Sequence, residues 1–193
     1  MKELKFLLAG IIILVFTNAG LAQERWTAEF RPGVNFPIDK VAGIEVKTGF
    51  GFEAALSYEI IPHLEAYAGW SWNKFGGDSG FGPSNLDVEE TGYTFGFQFI
   101  HPIANSSLSY SLRGGAVYNH LEFEDQGGNT IVDSGHGFGW QVGGGLDWEI
   151  GNNFHLRPGI RYRSLTRQLE MEIGNLEAKL NYLSFGLGLA KRF

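Results

Sequence analysis

The sequence predicts an all-β fold, an eight-stranded antiparallel up-and-down transmembrane β-barrel, and three observations predict it. Between Gln23 and Phe193, eight segments alternate apolar and polar residues with period two, and almost nothing repeats at the helical period. The apolar set holds all five Trp and nearly all the strand Phe, whereas the alternate set is small, amide or charged. The connections alternate between short and long. Alternating faces cancel in any average, so a mean hydropathy of −0.09 coexists with 15% aromatic residues and 28 Gly.

Ahead of the barrel, Lys2 and Lys5 precede an apolar run from Phe6 to Phe16, and Gly20 and Ala22 occupy the −3 and −1 places of a cleavage site. Residues 1–22 therefore read as a secretory signal peptide and 23–193 as the barrel domain. The run is shorter than the roughly 20 residues of a spanning helix.

The strands follow in order. The first turns Trp26, Ala28, Phe30, Val34 and Phe36 to its apolar face, and the second Phe50, Phe52, Ala54, Leu56, Tyr58 and Ile60. The third presents Leu64, Ala66, Ala68, Trp70 and Trp72; the fourth Tyr93, Phe95, Phe97 and Phe99; the fifth Leu108, Tyr110, Leu112, Ala116 and Tyr118. The sixth carries Phe138, Trp140, Val142, Leu146, Trp148 and Ile150, the seventh Phe154, Leu156, Ile160 and Tyr162. The closing strand, "LNYLSFGLGLAKRF", alternates Leu183, Phe185, Leu187, Leu189 and Lys191 with Ser184, Gly186, Gly188, Ala190 and Arg192.

The period alone does not say which face is outside, because soluble barrels alternate too. Bulk decides. An eight-stranded barrel is just wide enough inside for side chains, and the aromatic face would overfill it. The other face mixes charged and amide residues with Gly33, Gly49, Gly51, Gly69, Gly96, Gly115, Gly143, Gly145, Gly159, Gly186 and Gly188, which suits a crowded interior. The aromatic face is therefore read as meeting lipid, with Trp26, Tyr58, Tyr93 and Trp148 suited to interfacial belts. "IIPH", "HPIANSS" and "IGNN" are the short turns; "PIDKVAGIEVK", "GGDSGFGPSNLDVEE", "EFEDQGGNTIVDSG" and the region of "RQLEMEIGNLE" are the long loops. Transmembrane barrels of this kind keep short turns on the periplasmic side and longer loops outside the cell.

In this alternation, signal segment and terminal aromatic, the chain resembles the outer-membrane-protein β-barrel family of Gram-negative bacteria, the small eight-stranded barrels of the OmpA-transmembrane-domain and OmpX type, over Gln23 to Phe193. The resemblance implies location in the outer membrane among lipid and lipopolysaccharide, and a monomer. It also implies passage by periplasmic chaperones to the barrel-assembly machinery, whose signal the last strand resembles through Leu183, Phe185, Leu187, Leu189 and Phe193.

The inward charges suggest a paired network, since an unpaired charge in a narrow lumen is costly. Glu29, Glu53, Glu59, Glu65, Asp147 and Glu149 are set against Arg31, Arg113, Arg157, Arg161, Arg163 and Arg192. One register is specific: Gly151, Asn152 and Asn153 as a three-residue turn between Ile150 and Phe154, with Glu149 opposite His155, Asp147 opposite Arg157, Gly145 opposite Gly159 and Gly143 opposite Arg161.

The functional reading is a non-catalytic envelope or adhesion protein with a plugged polar lumen, acting through its extracellular loops. A small channel and a lipid-modifying enzyme are the alternatives. An enzyme of this architecture would use a His and a Ser, but His120 and His136 have no Ser two residues on, and Ser134 lies in a loop. Glu122, Glu124, Asp125 and Asp133 form the candidate extracellular binding loop, for a divalent cation or a partner. No cofactor pattern is formed. A net charge of −6, with no basic tract, excludes nucleic acid as a partner class.

Overall fold

A computed structural model describes residues 25–41, 45–78, 87–125, 127–171 and 174–193; the signal peptide expected over 1–22 lies outside them. The described residues form nine strands: β1 (Trp26–Pro37), β2 (Glu45–Ile61), β3 (Leu64–Asp78), β4 (Asp87–Pro102), β5 (Leu108–Glu124), β6 (Thr130–Asp133), β7 (Gly137–Gly151), β8 (Phe154–Met171) and β9 (Gly174–Arg192). Every pairing is antiparallel. Eight of the strands make the wall, each paired to its neighbour, and β1 joins β9 to close it. At the seam Trp26 and Phe193 exchange backbone hydrogen bonds of 3.0 and 2.8 Å. Closure removes the free sheet edges that would otherwise meet lipid unpaired.

The wall is sided as the alternation predicts. Phe138, Phe50 and Leu112 are 69%, 60% and 58% exposed on the outside, a continuous apolar surface that only lipid can cover. On β5 the outward apolar set runs from Leu108 to Tyr118, close to the roughly 9–11 residues that a tilted strand needs to cross the hydrocarbon. Beyond Trp72, Tyr93 and Tyr118 the outward positions turn polar at Lys74, Glu89, Thr91, His120, Glu122 and Glu124. The strands therefore continue past the aromatic belt into water. β8 and β9, at 18 and 19 residues, form a hairpin that rises well above it.

Two expectations are corrected. "EFEDQGGNTIVDSG" is not simply a loop: β5 continues to Glu124, and β6 pairs back on it with Glu122 opposite Asp133. Charge density suggested a loop there, but above the membrane an outward strand position is simply a wet one. The turn after β7 is also tighter than expected. Gly151 pairs with Phe154 after a register shift, so Asn152 and Asn153 alone make the turn, at φ of 52° and 61°, with Gly151 bulged at 108°. Above the bulge the expected register holds, with Glu149 opposite His155, Gly145 opposite Gly159 and Gly143 opposite Arg161. Pro158 points outward and has no N–H to give, so the ladder is interrupted between Gly145–Gly159 and Trp148–Leu156, which bracket Asp147 and Arg157.

Candidate functional site

The interior is stacked in three layers between the two mouths. The middle layer centres on Glu53 of β2, 4% exposed. One carboxylate oxygen accepts from Arg113 Nη2 at 2.6 Å; the other accepts from Arg161 Nη1 at 2.7 Å and Arg163 Nη2 at 3.3 Å. Strands β5 and β8 are thus tied to β2 across the lumen. The Arg113 guanidinium also lies 3.6 Å over the Tyr67 ring, and Gln141 bridges Tyr67 to Arg163.

Towards the turn side, Arg157 donates to Asp147 Oδ2 at 2.6 Å and to Glu29 Oε2 at 3.0 Å, while His155 Nδ1 meets Asp147 Oδ1 at 2.6 Å. Glu65 accepts from Ser57 at 2.6 Å and Arg192 at 3.2 Å. Below lies an open cavity of about 320 Å³ bounded by Glu59, Glu65, Asp147, Glu149, His155 and Arg192. Glu59 and Glu149 stand at this mouth without ion pairs among the described residues, a correction to the expected network. They sit next to the turns, where the lumen opens to water and a charge needs no partner.

Glu90 of β4, with no exposed surface, anchors the layer on the loop side. It accepts from Arg163 at 2.7 Å, Tyr182 at 2.5 Å, Asn73 at 3.1 Å and Asn119. Polarity assigned Glu90 to a loop, yet its parity with Gly92, Thr94, Gly96 and Gln98 already placed it inside. Arg167, also missed, shares the parity of Arg157, Arg161 and Arg163. Arg167 accounts for a feature of the wall: β7 begins near its level, and its guanidinium reaches the carbonyls of Asn119, Gly137, Phe138 and Thr166 and the side chain of Asn119. It staples β5, β7 and β8 together.

Arg31 is the other correction. It lies opposite Glu53 in the ladder, yet donates to the carbonyls of Gly159 at 2.7 Å and Arg157 at 3.4 Å. Among the described inward arginines, the two without a carboxylate ion pair, Arg31 and Arg167, are the two that turn to backbone oxygens. Glycines make space for this traffic. A Cβ on Gly188 would lie 2.7 Å from Glu29 Oε1, and one on Gly186 2.7 Å from Arg31 Nε.

Around and beyond the Glu90 layer the lumen is largely apolar. Phe75, Val88, Val117, Leu121, Phe123, Leu165, Leu180 and Tyr182 pack together, and Val41, brought in from the first long connection, completes the plug with no exposed surface. The expectation of a polar interior is thus corrected for the loop-side third of the barrel.

The candidate binding loop does not act as one unit. Glu124 is salt-bridged to Lys74 at 2.6 Å. Asp125 accepts from the Gly127 and Asn129 amides at 2.8 and 2.9 Å, and the Asn129 bonds above all hold its carboxyl below the ordinary range. Glu122 and Asp133 instead come together at His120, whose ring stacks on His136 with centroids 4.5 Å apart. On β9, Leu183, Phe185, Leu187 and Leu189 share the lipid-facing side.

Residues 9–193 match the family described as outer membrane protein beta-barrel domain. The chain belongs to that family. As an outer membrane β-barrel protein it has its wall in the outer membrane of a Gram-negative bacterium. Its fold is similar to Neisserial surface protein A, with 12% identity and a TM-score of 0.60 over 89% of this chain and 98% of that one. It is also similar to OprG of Pseudomonas aeruginosa, with 12% identity and a TM-score of 0.56 over 86% and 96%. A major outer membrane protein of Thermus thermophilus aligns at 15% identity and a TM-score of 0.50 over 88% and 98%. No curated protein matches the chain by sequence. As in other outer membrane barrels, the short turns at 62–63, 103–107 and 152–153 face the periplasm, and the strand extensions with β6 face outward from the cell.

Proposed function

We propose that this outer membrane barrel is a non-catalytic envelope protein that acts through its extracellular strand extensions and loops, with its lumen closed. The observation that carries this reading is the succession of layers across the lumen. The Glu53 hub, held by three arginines, lies below the Glu90 layer and an apolar plug sealed by Val41. Interior cavities of about 20 Å³ beside Glu53 and Arg113 are water-sized, too small to form a continuous path. The larger cavity is lined by residues at and next to the periplasmic turns. A conducting pore needs a wet path past both layers.

Against the enzyme reading, the Ser134 hydroxyl is committed to the backbone, accepting from Leu121 N–H and donating to Gly135 C=O. The binding surface we assign to the extracellular face includes Glu122, Glu124, Asp125 and Asp133, and its partners include lipopolysaccharide. Assembly is proposed to proceed through periplasmic chaperones and the barrel-assembly machinery, read from Phe193 and the outward residues of β9.

Single-channel recording in planar bilayers tests the closed lumen. The purified barrel should give no discrete conductance steps. Steps that persist at high protein purity, and that change size in Glu53→Gln, would replace this reading with a channel.

A further inference from the structure

On the extracellular extension, three carboxylates are laid in one row by strand register. Glu89 of β4 is directly opposite Glu122 of β5, and Glu122 is directly opposite Asp133 of β6, all on the outward face. Like charges directly opposite one another destabilise a sheet. Lys74 is the natural counter-ion by register, since it faces Glu89, but its ammonium goes instead to Glu124 at 2.6 Å and Asp87 at 3.5 Å. Among the described residues, neither Glu122 nor Asp133 has a Lys or Arg partner; both turn to His120, whose Nδ1 is 3.4 Å from Glu122 Oε1 and 3.2 Å from Asp133 Oδ1.

Those separations have a chemical meaning. Nitrogen and oxygen ligands bound tetrahedrally at about 2.0–2.1 Å from a zinc ion lie about 3.3–3.4 Å from each other. The ligand atoms of His120, Glu122 and Asp133 all fall within 4.8 Å of one another. Each side chain is also held. The Gly135 amide donates to Asp133 Oδ1 at 2.9 Å, Thr130 Oγ1 reaches Glu122 Oε2 at 3.4 Å, and the His120 ring stacks on His136 at an interplanar angle of 9°.

We infer that His120, Glu122 and Asp133 form a site for a divalent transition-metal ion of the zinc class on the extracellular face, with the His136 ring stacked against the ligand imidazole. A borderline-soft ion is favoured over Ca²⁺ or Mg²⁺ by the imidazole and by the small number of oxygens, since those hard cations take six or more oxygen ligands or retain water. Bound there, the ion offsets most of the charge of the carboxylate row and ties β6 to β5.

The test uses the mature barrel, free of any polyhistidine tag, folded in detergent micelles. Co²⁺ is titrated as the spectroscopic probe and then displaced by Zn²⁺, with the heat of binding measured in parallel. One Zn²⁺ per chain is expected, and His120→Ala and Glu122→Gln should each weaken binding by at least the ~10-fold that losing even an outer-shell partner costs. Glu149→Gln, at the opposite mouth, should bind as the parent does. Heat-shifted gel mobility shows that each variant is folded. The inference is overturned by absence of binding, by unchanged affinity in either of the first two variants, or by equal displacement of Co²⁺ by Ca²⁺.

Discussion

Replacing Glu53 by Gln keeps the side-chain volume and removes the charge on which three guanidinium groups converge. Arg163 retains Glu90 at 2.7 Å, and Arg113 retains Glu29 only at 3.9 Å. Arg161 is left with the Gln141 side-chain oxygen at 3.5 Å. The amide keeps one acceptor oxygen, so one of the two short charge-assisted bonds, each worth about 1.5–3 kcal/mol, is lost outright and the other is weakened, while leaving a buried charge without its partner costs about 3–5 kcal/mol. A loss of roughly 3–5 kcal/mol is expected. Urea unfolding in lipid vesicles, followed by tryptophan fluorescence, measures it, with an unchanged m-value showing that the unfolded reference is the same. Pairing the change with Arg161→Met should recover part of the loss, because the stranded cation is removed. A loss below about 1 kcal/mol, or strict additivity of the pair, would refute the claim that Glu53 is the hub holding β2, β5 and β8 together.

Three further outcomes follow from the geometry. Asp147→Ala and Arg157→Ala should each destabilise the barrel, and the double variant should lose clearly less than the sum; the same unfolding assay gives the coupling, and additivity would count against their 2.6 Å contact. Leu187→Arg places a charge on the lipid face and should cost roughly 2–4 kcal/mol in vesicles, a loss expected to shrink when the change is made instead at Thr91, above the aromatic belt. The Asp125 carboxyl is held below its ordinary range by the Asn129 and Gly127 bonds, so its contribution to loop order is complete above the ordinary carboxylate value and is lost as pH falls through the lowered one. The Gly127 and Asn129 amide resonances should stay constant down to that ordinary value and move only below it; titration at the ordinary value would remove the assigned role.

The wall of this barrel was legible because its signal repeats. Phe95, Phe97 and Phe99 alternate with Gly96 and Gln98 at period two, and a bilayer rewards the pattern at each step. The Asp147–Arg157 pair was legible for a related reason: parity and a turn containing Gly and two Asn are enough to set one register. The extracellular extension was harder to read. Above the belt both faces of a strand can be polar, so Glu90 inside and Glu89 outside look alike, and only the parity carried up from Gly92 and Thr94 separates them. Phe75, Leu121 and Leu165 break the polar-inside rule without leaving the strand period, and they were missed because the rule was applied to the whole lumen. The choice of Arg31 and Arg167 for backbone oxygens depends on distances across the barrel, which no linear pattern contains.

The plug built from Val41, Phe75, Leu121, Leu165 and Tyr182 has a mechanical consequence. Where the wall leaves the bilayer it loses the sideways pressure of lipid, and an empty tube of paired strands there would be free to ovalise and splay. A packed apolar filling turns that portion into something closer to a small water-soluble domain standing on the membrane, with its own cohesion. Whatever docks on its outer surface meets side chains already held in place. Little ordering entropy then has to be surrendered at the moment of contact, and the dwell time is set by the fit of the two surfaces rather than by the stiffening of loose loops.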